Sequence, residues 1–127
     1  MPFRMEKERT VATPYLLIDE EKNYMKLEGR CFDESMGLFF KEILDWLDIY
    51  LETDFGEFTF DNATEYFNSS TTKLLLKMLL KMDKYASDTK KIIVNWITIE
   101  ENEIMVECGE DFMEELENIE FNIVIVD

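Results

Sequence analysis

Apolar positions recur along this chain with two different periods, and the switches between them mark its elements. Thr13-Pro14-Tyr15-Leu16-Leu17-Ile18 and Asn23-Tyr24-Met25-Lys26-Leu27-Glu28-Gly29-Arg30 read as two strands. The polar Asp19-Glu20-Glu21-Lys22 between them has the composition of a hairpin turn. Residues 1–11, before the first strand, are charged and read as a loose N-terminal segment. From Met36 to about Glu52 the period becomes helical, with Met36, Phe39, Phe40, Ile43, Leu44, Leu47, Tyr50 and Leu51 on one wide face. Ser35 is the expected cap. Leu38, Trp46 and Ile49 fall off the stripe, which predicts burial of more than one side.

After Gly56, Glu57-Phe58-Thr59-Phe60-Asp61 alternates as a strand does. A second helix is expected from about Ser70 to Tyr85, with Leu75, Met78, Leu79, Met82 and Tyr85 facing the core. Lys73, Lys77, Lys81 and Lys84 form a ridge on its outer side, at helical spacing. Lys91 to Ile99 is apolar on both alternating faces, which predicts a central strand covered on both sides. Glu103 to Glu117 reads as an acidic helical segment interrupted or capped at Gly109. Phe121 to Val126 closes the chain as a β-branched strand. Strands that alternate with helices predict an α/β domain: a mixed sheet of about five strands packed with roughly three to four helices.

The chain has 127 residues, enough for one domain with one core. Its hydrophobic fraction of 46% is too high for intrinsic disorder despite the charge. The formal charge of −16 repels phosphate backbones and anionic lipid, so neither nucleic acid nor membrane insertion is expected, and basic docking surfaces are favoured. Solubility alone also accounts for that charge. The N-terminus lacks the apolar run of a signal peptide, which places the protein in the cytoplasm with Cys31 and Cys108 reduced.

Candidate catalytic chemistry is sparse. The absence of histidine removes Ser-His and Cys-His nucleophile pairs and the commonest metal ligand. Two distant cysteines give no zinc spacing, and four glycines build no phosphate cradle. Carboxylate clusters such as Asp19/Glu20/Glu21 and Glu100/Glu101/Glu103 are read first as solvated charge, and Glu110, Asp111, Glu114 and Glu115 lack a calcium-loop pattern. No metal and no cofactor are expected, and an enzyme using a carboxylate pair is the weakest reading.

The densest run of small hydroxyl residues is Asn68-Ser69-Ser70-Thr71-Thr72, directly before the Leu-rich helix. Capping explains one such residue, since Asn, Ser and Thr satisfy the orphan amides of a helix start. A phosphoryl group there would meet free amides, the positive end of the helix dipole and Lys73 one turn on. It would also add close to two negative charges at one spot, enough to repel a docked partner. Both readings stand on pattern alone. The lysine ridge is likewise either a solvated face or a surface for an acidic partner.

Four stretches resemble the SiaC/DUF1987 family of biofilm-regulation phosphoproteins, relatives in fold of the STAS anti-sigma-factor antagonists. They are Thr13-Pro14-Tyr15 with Ile18-Asp19; Leu27-Glu28-Gly29-Arg30 followed by Glu34; Tyr66 to Lys73; and Asn102 to Phe112. Phe40, Trp46, Tyr50 and Trp96 also fit. The resemblance implies a single STAS-like domain over residues 1–127 without catalytic activity. It implies phosphorylation at the helix start by a dedicated protein kinase and reversal by a PP2C-type phosphatase. The unphosphorylated form would bind a signalling partner such as a GGDEF diguanylate cyclase and promote cyclic-di-GMP synthesis. Carried onto this chain, the acceptor matches Ser69, with Ser70 as second choice, and the partner-binding surface falls on Asn68, Ser69, Ser70, Thr71, Lys73 and Lys77. An anti-sigma-factor antagonist in a partner-switching sigma-factor pathway is the alternative. Cys31-Phe32-Asp33 departs from the serine and proline that the family often carries before the glutamate.

Overall fold

A computed structural model describes residues 2–126. The elements are β1 (Arg4–Lys7), β2 (Tyr15–Asp19), β3 (Tyr24–Cys31), α1 (Met36–Tyr50), β4 (Glu57–Phe67), α2 (Ser69–Tyr85), β5 (Lys91–Ile99), α3 (Glu103–Glu115) and β6 (Glu120–Val126). The single 3-10 turn Glu20–Lys22 joins β2 to β3, and Asn23 closes it in the left-handed region at φ 51°. This is the hairpin expected there.

The strands lie side by side in chain order, β1-β2-β3-β4-β5-β6. β1, β2 and β3 pair antiparallel, whereas β3 through β6 pair parallel. Each parallel connection carries one helix, and such crossovers are right-handed. Because the strand order never reverses, right-handed crossovers place all three helices on one face. A doubly wound sheet covers both faces only because its order reverses at a switch point.

That topology corrects the expectation for Lys91–Ile99. Ile92, Val94, Trp96 and Thr98 are buried beneath the helices, but Ile93, Asn95 and Ile97 on the other face are only half-buried. The open face carries a polar ladder across four strands. Tyr24 Oη donates to Asp61 Oδ2 at 2.7 Å, Asn95 Nδ2 donates to Asp61 Oδ1 at 2.8 Å, and Asn122 Nδ2 donates to Asn95 Oδ1 at 3.1 Å.

The domain is a mixed α/β fold with six strands rather than about five. The extra strand is β1, inside the segment expected to be loose. Its charged residues suit an edge, where they deter pairing with other chains. The core forms between the helices and the covered face, with Trp96, Tyr50, Phe40, Phe58 and Phe60 its largest fully buried side chains. α1 buries one stripe only: Trp46 is covered, but Leu38 and Ile49 are 71% and 74% exposed. Ser35 makes no side-chain cap. Asp33 instead accepts from the Ser35 amide and hydroxyl.

α3 runs unbroken through Gly109, which corrects the expected interruption. A Cβ at that position would lie 2.5 Å from Trp96 Cδ1, so glycine is there to admit the indole. The indole Nε1 donates to the Met105 carbonyl at 2.8 Å, which satisfies its only polar atom inside the core. At the end of α2, the buried Asp83 carboxylate accepts from the amides of Glu117, Asn118 and Ile119 and fixes the entry into β6. Among the described residues no helix is long and apolar enough to cross a membrane.

Candidate phosphorylation site at the start of α2

β4 is longer than its alternation suggested and runs on to Phe67. At its end the pairing with β3 steps from Gly29↔Thr64 to Arg30↔Tyr66, so Glu65 stands extra in β4 as a bulge. The step carries Phe67, opposite Cys31, onto the covered face, where its ring meets Trp96 and Phe112. The chain leaves the sheet directly after this anchor, and α2 begins.

Asn68 is the cap. It sits in the extended region at φ −83° and ψ 176°, and its side chain accepts from the Thr71 amide at 3.0 Å. α2 therefore starts at Ser69, one residue before the expected position. The hydroxyl run divides sharply by exposure. Ser69 and Ser70 are exposed. Thr71 is 1% exposed and belongs to the core side of the helix. Thr72 is half-buried and donates its hydroxyl to the Asn68 carbonyl at 3.0 Å. Two free hydroxyls remain, at the first two helical positions, where the backbone amides have no intrahelical acceptor.

The electrostatics at this end are permissive for an anion. The first turn of α2 carries no acidic residue in a chain that has 29. Lys73 and Lys77 are exposed and form no ion pair among the described residues, whereas Lys81, further along the ridge, is held by Asp48 of α1. Lys73 and Lys77 are thus the free cations of the ridge that lie next to the serines. A cleft of about 630 Å³ separates the start of α2 from the loop after β3, with Phe32, Asp33, Ser70, Thr71, Lys73 and Lys77 among its walls. The hydrogen bonds from the Ser35 hydroxyl and amide hold the Asp33 carboxyl below its ordinary pKa and keep it ionised. An anion on Ser70 would face that carboxylate across the cleft. Ser69 does not line the cleft.

One further cation belongs to this corner. The Arg30 guanidinium lies 5.5 Å from the Phe32 ring centre and 5.7 Å from that of Tyr66, and it has no carboxylate partner among the described residues. Its position beside the start of α2 follows from the register Arg30↔Tyr66, two residues before Asn68. The pattern of β3 alone places Arg30 on the open face, but its neighbour across the sheet lies beyond the bulge and has no signature in sequence. Nucleophilic alternatives are weak here. Burial pushes the Cys31 thiol up to about 12, and burial with the Asp111 charge pushes Cys108 up to about 11.

The model of the SiaC family, whose members are regulatory phosphoproteins, matches residues 7–126. The chain belongs to the SiaC family. An uncharacterized protein of Pseudomonas aeruginosa (strain UCBPP-PA14) is 22% identical over 106 residues, 84% of each chain. The crystal structure of apo-SiaC from Pseudomonas aeruginosa superposes with a TM-score of 0.85 at 19% identity, covering 96% of this chain and 98% of that one. The crystal structure of the diguanylate cyclase SiaD in complex with its activator SiaC, from the same organism, gives 0.89 at 20% identity over 96% and 99%. At such identities the likeness establishes a shared fold. Membership in the SiaC family makes this chain a regulatory phosphoprotein, and the α2 start is where its free hydroxyls, free lysines and free amides coincide.

Proposed function

We propose that Ser69 is the phospho-acceptor and that its phosphorylation governs docking of a signalling protein on the start of α2. The observation that carries this reading is the exposure of Ser69 at the first turn of a helix with no acidic residue of its own. A phosphoryl group on Ser69 meets the free amides and the positive end of the dipole, with Lys73 four residues on, on the same helical face. The same group places close to two negative charges where Asn68, Ser70, Lys73 and Lys77 would otherwise meet a partner. Ser70 is the second choice because it faces Asp33 across the cleft.

SiaC of Pseudomonas aeruginosa is the activator of the diguanylate cyclase SiaD. By analogy the partner here is a GGDEF diguanylate cyclase, bound by the unphosphorylated form, with a protein kinase and a PP2C-type phosphatase setting the balance. The protein then acts by binding and not by turnover. Co-expression with the cognate kinase followed by intact-mass analysis and peptide mapping tests the acceptor. Phosphate on Ser69 is the expected result, and phosphate found on neither Ser69 nor Ser70 overturns it. Binding to the cyclase should be lost in Ser69→Asp and kept in Ser69→Ala. Equal binding by both removes the switch.

A further inference from the structure

The uncovered edge of the sheet, two strands from the switch, has a chemistry of its own. β6 pairs with β5 on one side only, and from Phe121 to Val126 it carries no charge. Natural edge strands are blunted by lysine, proline or a cover, because their unpaired amides and carbonyls invite another strand. β6 has none of these guards.

The surface around that edge is apolar. Ile99, Ile104, Ile125 and Val126 are 42%, 77%, 48% and 43% exposed, and all four belong to the ends of β5 and β6 or the first turn of α3. Single exposed apolar residues need no explanation, but a group at one corner marks an interaction surface. Between α3 and β6 lies a cleft of about 470 Å³ lined by Val106 and Ile125, with Glu100, Glu103, Glu107 and Glu110 around them. None of those four carboxylates has an ion pair or hydrogen bond among the described residues.

We infer that this corner docks an extended, basic and apolar segment of a partner protein, which adds to β6 as a further strand. The unpaired backbone supplies register, and the side chains on one face of the added strand enter the cleft, apolar ones on Val106 and Ile125 and lysines or arginines on the glutamates around them. Charge selects this occupant over a second copy of the chain, because two copies joined through β6 would bring both sets of four glutamates to one interface. The surface is independent of Ser69 and holds whichever hydroxyl is the switch.

Titration of the isotope-labelled full chain with a synthetic peptide carrying valine and lysine in turn at every second position, with threonine between them, followed by amide chemical shifts, tests the assignment. The expected perturbations are confined to β6 and α3, weaken with salt, and are absent with a peptide carrying glutamate in place of lysine. Ile125→Lys, at an exposed position that leaves the core intact, and the pair Glu103→Lys with Glu107→Lys should each weaken binding by about tenfold or more. Circular dichroism of each variant confirms that the fold is kept. Perturbations spread over the whole acidic surface, or wild-type binding by both variants, overturn the proposal. So does sedimentation showing a dimer that Ile125→Lys abolishes, which would assign the edge to a second copy.

Discussion

Asn102 donates its side-chain amide to the main-chain carbonyl of Glu65 at 3.0 Å, so the residue that caps α3 also clasps the bulge that leads into α2. Its oxygen accepts from the Met105 amide at 3.4 Å while its nitrogen reaches across to β4. Two helix starts on neighbouring crossovers are tied through one side chain.

Loss of that clasp should be felt at both ends of the tie. Asn102→Ala is expected to cost about 1–2 kcal/mol in urea unfolding, from the lost cap and the lost hydrogen bond. Asn102→Asp keeps an acceptor for Met105 but has no donor for Glu65, and should fall between. Hydrogen exchange then separates the two: faster exchange at Phe67 to Thr72 in Asn102→Asp reports the clasp alone.

Phosphorylated protein should be the more stable form. A phosphate on the proposed acceptor Ser69 would sit at the positive end of α2, an interaction worth about 0.5–1 kcal/mol at low ionic strength. Urea midpoints of the two forms should differ in low salt and converge as salt screens the charge. Lys73→Ala should shrink the gap while leaving the unphosphorylated form nearly unchanged.

Gly109→Ala runs against helix propensity. Alanine favours a helix interior by about 1 kcal/mol over glycine. Here its Cβ would meet Trp96 Cδ1 at 2.5 Å and Nε1 at 2.8 Å, both parts of a rigid buried ring. Displacing the ring also stretches its hydrogen bond to Met105. A net loss of about 1–3 kcal/mol is expected, with a change in tryptophan fluorescence.

Alkaline pH should unfold the protein through its tyrosines. Burial, then the hydrogen bond to Asp61, raises the Tyr24 pKa above the ordinary 10.0, and burial with the Glu20 charge raises that of Tyr50. Below pH 10 these groups are protonated in both states and their contribution is fully present. Above it the unfolded chain releases protons that the fold retains, so stability falls as pH rises. Urea midpoints measured from about pH 8 to about pH 11 should decline at the upper end, and less steeply in Tyr24→Phe.

The long helices and the apolar strands were legible because one face of each is buried against one layer, which leaves a clean period. β1 was not, since a charged edge strand has no apolar signature. The second half of β4 was hidden twice over. Asn62 and Thr64 stand at covered positions, with Asn62 Nδ2 donating to Thr64 Oγ1, and the extra Glu65 shifts the alternation beyond it. Half-burial of the open face made Lys91–Ile99 read as doubly covered, because Ile93 and Ile97 are apolar without a helix above them. At the start of α2, the run of hydroxyls was plain in the sequence. Its division into two exposed serines, a buried Thr71 and a Thr72 bonded to the Asn68 carbonyl depends on the rotation of α2, which only packing sets. Asp83 meets Glu117 and Arg30 meets Tyr66 across 34 residues or more, a distance at which a single sequence is silent.

The unbroken order of the strands also has a kinetic meaning. Every strand lies next to the one made just before it, so no strand must be inserted between two others, and each parallel pairing waits only for its own helical crossover. The hairpin of β2 and β3 is the most local of these pairings and closes fastest, whereas each parallel pair must first close a long crossover. The sheet can grow in the order in which it is synthesised, with β6 the last to join. A chain released from synthesis before β6 would present an open edge at β5 instead.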